Sequence, residues 1–126
     1  MKRVQVTKSA NGYLVGLSRA QRIFLSMIFE YLLGHSASDI DLEIQTGSDR
    51  DHIESLLGRL KSGAVEGGRT ADEFTRGDLH SIHAALLAVR EHLPSEVQFH
   101  TTITGFYREH AADLADSLVR SADRAE

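Results

Sequence analysis

Apolar and polar positions alternate along the first seventeen residues and predict a β-hairpin. Asn11-Gly12 supplies the positive φ angles of a two-residue type I′ turn. This turn sets Val6 opposite Leu17. Apolar residues stand at every second position on both sides of the turn, and the face they share comprises Val4, Val6, Tyr13, Val15 and Leu17.

A longer apolar segment, residues 18–33, has the signals of an α-helix. Ser18 and Gln21 form an S-x-x-Q capping box at its start, and Gly34 predicts its end. The segment is apolar almost all the way round, and its polar stripe comprises only Arg19, Arg22, Ser26 and Glu30. Such a helix is normally central in a core. In a chain of 126 residues a second copy is a reasonable cover for it, so we expect a homodimer.

The same pattern returns in the second half of the chain. A second capping box, Thr75 with Asp78, opens an apolar stripe of helical spacing that stops at Pro94. The sequence therefore predicts a second long helix over residues 76–93.

A short alternating run follows each predicted long helix. Period two along residues 40–44 and along residues 97–103 favours short β-strands. A glycine then opens two similar segments, residues 47–60 and 105–118, which share Gly, Arg, His and two Leu at matching positions. The repeated order of helix, strand, glycine and helix indicates an internal duplication.

We therefore expect a mainly helical α+β fold, in which an N-terminal β-hairpin precedes two repeated helix–short strand–helix units packed as one domain. The length of 126 residues suits a single domain. The predicted boundaries are residues 1–17 for the hairpin, 18–63 for the first repeat, 64–74 for a connector and 75–122 for the second repeat.

Composition limits the classes of function. The chain contains no Cys, which excludes disulfides and thiolate zinc sites. No apolar segment follows the first basic residues as in a secretory signal, so we expect a cytoplasmic location. The longest apolar run, residues 23–33, is interrupted by Ser26 and Glu30 and is too short to cross a bilayer, so we expect no membrane partner.

The formal net charge of −4 is unevenly distributed. Residues 1–63 carry eight basic and seven acidic side chains, whereas residues 64–126 carry six and eleven. An acidic second half disfavours binding to nucleic acid and favours a basic protein partner that contacts this half.

A winged-helix-type DNA-binding regulator is the alternative for residues 36–70. Residues 36–63 fit a helix-turn-helix around Gly47, and residues 64–70 fit a wing. The first turns of its recognition helix would carry Asp49, Asp51 and Glu54 against Arg50 alone. Such a helix start would repel phosphates, so DNA binding is possible but disfavoured.

Two repeated pairs are the first candidate site residues: Arg50 with His52, and Arg108 with His110. One interpretation places both pairs around a shared anion, because helix N-termini favour negative charge. The interpretation we prefer is structural, with each pair holding its repeat's strand against its helix, and Arg50 reaching Glu54 along the helix.

Other candidate residues give weaker evidence of a functional site. His80 and His83 stand three apart but lack the carboxylate of a zinc motif. No nucleophile motif or phosphate-binding loop is present. We therefore predict no catalytic residue, cofactor or metal, and expect a small non-enzymatic protein-interaction or regulatory module, of which an immunity or antitoxin-like protein that binds a basic toxin is one version.

Overall fold

The computed structural model describes residues 3–66 and 70–126. Within them, three strands form an antiparallel sheet of order β1-β2-β3: β1 (Gln5–Lys8), β2 (Tyr13–Leu17) and β3 (Thr70–Phe74). The six helices in the same residues are α1 (Arg19–His35), α2 (Asp39–Thr46), α3 (Arg50–Glu66), α4 (Arg76–His92), α5 (Glu96–Thr102) and α6 (Arg108–Ala125). The predicted mainly helical α+β class and the N-terminal hairpin are confirmed. The hairpin prediction at residues 1–2 and the wing prediction at residues 67–69 lie outside the described residues.

The hairpin pairs in a register two residues away from the predicted one. Val6 lies opposite Val15 instead of Leu17. The connection is a loop over Ser9–Gly12, closed by the Ser9 N–H, which donates to the Gly12 carbonyl at 2.9 Å. Because a shift by two preserves the alternation, the predicted face is retained. Its buried members are Val4, Tyr13, Val15 and Leu17.

Residue 12 must be glycine because a side chain there would have no space. Among the described residues only Gly47 and Gly105 have positive φ angles, so the predicted type I′ turn is wrong. A Cβ atom on Gly12 would lie 2.3 Å from the carbonyl oxygen of Phe74. The loop therefore closes over the end of β3, a strand that lies inside the segment predicted as a connector.

The two predicted short strands are helices. Residues 40–44 lie in α2, and residues 97–102 lie in α5. Ser38 and Ser95 begin these helices, because each hydroxyl accepts the backbone N–H three residues later, at 3.1 and 3.3 Å. These side-chain caps satisfy N–H groups that a strand would have paired with a neighbour.

The alternation in residues 40–44 did not reflect burial. Leu42 is buried, whereas Ile40 and Ile44 are 70% and 79% exposed. In a strand the three would share one face, but in a helix residues 40 and 44 lie one turn apart and residue 42 points away from them. The strand prediction was wrong because the apolar residues alternate along the sequence, but two of the three, Ile40 and Ile44, are exposed.

Both predicted capping boxes are confirmed. The Ser18 hydroxyl accepts the Gln21 N–H at 3.1 Å, and the Gln21 side-chain oxygen accepts the Ser18 N–H at 2.8 Å. Thr75 and Asp78 make the same two bonds at 3.0 Å each. These side chains satisfy backbone donors that no helical carbonyl can reach.

One predicted helix end is confirmed and the other is wrong. Helix α4 ends at His92, just before Pro94, as proline requires. Helix α1 continues through Gly34 to His35, because Gly34 lacks the positive φ angle of a helix-ending glycine.

Helix α6 covers the free edge of the sheet at β1. The Val4 N–H donates to the Ser117 hydroxyl at 3.0 Å, and the Ser121 hydroxyl donates to the Val4 carbonyl at 2.8 Å. An uncovered edge strand invites pairing with other chains. The two serines satisfy this end of β1 and attach α6, which also packs against α4.

The polar stripe of α1 is partly buried. Arg22 is fully buried and Ser26 is 6% exposed. Arg22 Nη2 lies 2.7 Å from Asp72 Oδ2 in β3, and Arg22 Nη1 donates to the Arg59 carbonyl of α3 at 3.5 Å. A Cβ atom on Gly63 would lie 2.1 Å from Arg22 Nη1, so α3 approaches the guanidinium only because residue 63 is glycine.

Two alanine substitutions on α3 test this packing. Gly58→Ala meets open space, and we expect it to stabilise the protein by up to about 1 kcal/mol through helix propensity. Gly63→Ala has the same gain but collides with Arg22, and overpacking of this kind costs about 1–3 kcal/mol. Urea unfolding measures both. Equal stabilisation by the two substitutions would contradict the contact.

Candidate functional site

Helix α2 presents exposed isoleucines among carboxylates. Ile40 and Ile44, which are 70% and 79% exposed, are neighbours one helical turn apart. Residues 36–54, which run from the start of α2 into the first turns of α3, carry six acidic side chains and one arginine. This segment is therefore more negative than the whole chain, whose net charge is −4. We call Ile40, Ile44 and the carboxylates of residues 36–54 the α2 surface.

The opposite side of α2 is fixed to the fold. Leu42 and Thr46 are buried, and the Thr46 hydroxyl donates to the Leu42 carbonyl at 2.9 Å. Gln45 and His92 hydrogen-bond at 3.2 Å and join α2 to α4. Gly47 ends α2 with a φ angle of 76°. Because these contacts orient α2, its isoleucines face solvent.

Arg50, the first predicted site residue, joins three helices. Its Nε donates to Asp39 Oδ1 at 2.7 Å, and its Nη1 donates to the Leu33 carbonyl at 3.3 Å. The prediction that Arg50 pairs with Glu54 was wrong, because the guanidinium reaches back to the start of α2. Arg50 thus ties the end of α1 and the start of α2 to α3.

His52 joins α3 to α4. Its Nε2 donates to Asp78 Oδ1 at 2.6 Å, and Asp78 is buried. The same carboxylate belongs to the capping box of α4, so His52 supports the start of that helix.

Arg108 and His110 lie at the start of α6. Arg108 Nη2 donates to the Arg90 carbonyl at 3.3 Å, and its backbone N–H donates to Glu96 Oε1 at 2.9 Å. His110 Nδ1 accepts the Tyr107 N–H at 3.0 Å. The four predicted site residues thus bond to different partners, and none lines either cavity described below. The shared anion site stays a prediction.

A groove of about 420 Å³ lies between α4 and α6 and was not predicted. Its α4 wall carries Arg76, Leu79, His80 and His83. The rest of its lining comprises Leu118, Val119, Ala122, Asp123, Glu126 and Tyr13. Its floor is apolar and its two walls carry polar groups, a common composition for small-molecule sites.

One end of the groove is closed by a polar cluster around Glu126. The Tyr13 hydroxyl donates to Glu126 Oε1, and Arg76 Nη2 lies 2.6 Å from the same oxygen. Lys8 Nζ lies 3.0 Å from Glu126 Oε2. The hydrogen bonds from Tyr13 and Lys8, with the charges of Lys8 and Arg76, lower the pKa of Glu126 from 4.5 to about 2.

A second cavity of about 250 Å³ lies along α6. Its basic residues are Arg3, Arg120 and Arg124, and its acidic residues are Asp113 and Asp116. Arg120 already pairs with Asp116 at 3.1 Å, one helical turn away. Surface pairs of this kind contribute little, and this cavity gives no sign of a preferred ligand.

The histidines are not gathered into a metal centre. His80 and His83 line the groove, whereas the His100 ring stacks on Tyr107 with 4.6 Å between centroids. In residues 3–66 and 70–126, no three His, Asp or Glu side chains are grouped to hold a metal ion. In the same part of the chain, no helix has the length and apolar content needed to cross a bilayer.

The chain was compared by sequence and by structure with known proteins, and no family model, curated protein or solved structure matches it.

The lowered pKa of Glu126 predicts a pH dependence. Its contribution to stability is complete above pH 4.5 and is lost as the pH falls toward about 2. We expect an NMR titration of the Glu126 carboxyl carbon to give a midpoint of about 2. Tyr13→Phe removes the largest cause, so its midpoint should move upward. A wild-type midpoint of 4.5 would contradict the cluster.

Proposed function

We propose that this chain is a small, non-enzymatic interaction module that binds a basic protein partner through the α2 surface. The main support for this proposal is the pair of exposed isoleucines within the most acidic segment of the chain. Burying an isoleucine in an interface is worth about 1.5–3 kcal/mol. The surrounding carboxylates steer a basic partner and reject an acidic one.

The second half offers less free negative charge than its sequence implies. Asp72 pairs with Arg22, Asp116 with Arg120, and Glu126 with Lys8 and Arg76. Asp78 is buried and bonded to His52. Asp39 on the α2 surface is likewise paired with Arg50, so the exposed isoleucines are our reason for placing the partner contact on the α2 surface.

An immunity or antitoxin-like role in the cytoplasm is one form of this proposal. Its support is the small size of the chain, the charge of the α2 surface and the absence of a recognisable catalytic motif in the sequence. A basic toxin would then be the partner.

A DNA-binding regulator is the second candidate, because the order α2, three-residue turn and α3 is that of a helix-turn-helix. Charge argues against it. Asp49, Asp51 and Glu54 would face phosphates at the start of the recognition helix. The first residues of the proposed wing, 64–66, are instead the end of α3, and its last residue, Thr70, begins β3.

We also propose that residues 18–63 and 75–122 are an internal duplication, now as two units of long helix, short helix and long helix. Arg50 donates to the Leu33 carbonyl, and Arg108 donates to the Arg90 carbonyl. These carbonyls lie 57 positions apart, and the arginines lie 58 apart, as the repeat predicts. The Arg50 guanidinium also donates to Asp39, and the Arg108 backbone N–H donates to Glu96, and these acceptors are the first residues of the two short helices. Joint retention of both arginines in homologous sequences would test the duplication.

Self-association stays a prediction. Helix α1 packs against α3 and α4 within one chain, so its apolar length does not by itself require a second copy. Light scattering at micromolar concentration measures the mass in solution. A strict monomer would contradict the homodimer and leave the α2 surface for a different protein.

Binding of an amphipathic leucine–lysine peptide tests the α2 surface by calorimetry. We expect saturable binding that weakens with salt. Replacing both isoleucines, Ile40→Ser with Ile44→Ser, leaves the charge unchanged and should weaken binding at least tenfold, about 1.4 kcal/mol. The matched control is Val97→Ser in α5, since Val97 is 76% exposed but lies outside the α2 surface.

Two results would contradict the interaction proposal. The first is peptide binding that the double isoleucine substitution leaves unchanged. The second is retention of mixed-sequence DNA duplexes in a mobility-shift assay, with affinity that falls steeply as salt rises, because that result favours the DNA-binding regulator.

A further inference from the structure

The groove between α4 and α6 has one wall of hydrogen-bond donors. Arg76 and His83 lie two helical turns apart on α4 and therefore share one helix face, whereas the His80 ring lies against Gly47 at the end of α2. The contacts of Arg76 within the described residues pass through Nη2, which leaves Nε and Nη1 as donors. This wall is suited to a carboxylate, since hydrogen bonds from a charged guanidinium to a carboxylate are stronger than those between neutral groups.

The opposite wall carries an acceptor. Asp123 lines the groove from α6 and is exposed, and its carboxylate bonds to no other side chain of the described residues. The neighbouring Glu126 differs, because Lys8, Tyr13 and Arg76 already occupy its two oxygens. Asp123 is therefore the carboxylate that remains to receive an ammonium group.

The floor between these walls is apolar. Leu118 and Leu79 are buried beneath it, and Val119 is 50% exposed beside it. The volume of about 420 Å³ lies within the range of about 300–1,000 Å³ that is usual for small-molecule sites. Helices that pack directly have axes about 8–10 Å apart, so one small molecule reaches both walls.

We infer that this groove binds a zwitterionic α-amino acid with a large apolar side chain. The ligand carboxylate contacts Arg76 and His83, and its ammonium group contacts Asp123. The apolar side chain covers Leu118 and Val119. A ligand with one charge forms the charged hydrogen bonds of one wall only and lacks those of the other, which is the physical basis of the selectivity. This site is independent of the α2 surface.

Three ligands that differ by one charge test the inference by calorimetry. L-Phenylalanine has both charged groups, 3-phenylpropanoate lacks the ammonium group, and 2-phenylethylamine lacks the carboxylate. We expect saturable binding of L-phenylalanine at one site per chain, and at least tenfold weaker binding of each analogue. No saturable binding of L-phenylalanine, or an analogue that binds equally well, overturns the inference.

Substitutions assign the two walls. Asp123→Asn should weaken L-phenylalanine binding at least tenfold and leave 3-phenylpropanoate unchanged, because only the ammonium group loses its partner. His83→Gln should weaken the binding of L-phenylalanine and of 3-phenylpropanoate alike. Ile44→Ser on the α2 surface is the matched control and should change neither affinity. Circular dichroism of the calorimetry sample checks that Asp123→Asn is folded. Unchanged L-phenylalanine affinity in this folded variant overturns the inference.

Discussion

An ion pair between the buried Arg22 of α1 and the partly exposed Asp72 of β3 sets the arrangement of the fold. Removing a guanidinium from water costs several kcal/mol unless a charged partner and hydrogen bonds replace the water. Asp72 supplies the charge, and the Arg59 carbonyl of α3 accepts a further bond. Helix α1, helix α3 and strand β3 must therefore assemble together. Gly63 permits this assembly because it leaves the space that the guanidinium occupies.

The same group of side chains controls the edge of the sheet at β3. Arg59 lies over the Phe74 ring at 4.5 Å and donates to the Glu73 carbonyl. These contacts cover part of an edge that other chains could pair with. Since β3 pairs with β2, the position of α3 also determines the loop at Gly12, where no Cβ fits.

Features local in sequence could be predicted, and features built from distant residues could not. The long helices followed from Ser18 with Gln21 and from Thr75 with Asp78, because capping acts over one turn. Strand β3 has the sequence TADEF, which lacks apolar alternation, and its place depends on Arg22 and Phe74. Helix α2 was missed because Ile40 and Ile44 are apolar but exposed.

The candidate site shows the same limit. Arg50, His52, Arg108 and His110 could be singled out because the chain repeats them. The bonds of the first three join helices to one another, and His110 bonds to the start of its own helix. The groove had no local signal, since Arg76 is 63 residues from Tyr13 and 50 from Glu126. The carboxylates of residues 36–54 were visible in the sequence, but only burial of Leu42 establishes that the isoleucines between them face outward.

We propose that the α2 surface, and not the acidic second half, meets a basic partner. Amide chemical-shift mapping with a leucine–lysine peptide tests it most directly, because each backbone amide reports its own surroundings. We expect saturable shifts concentrated in residues 36–54, with α5 and α6 unchanged. Shifts concentrated in α6, or spread evenly over every acidic surface, would contradict it.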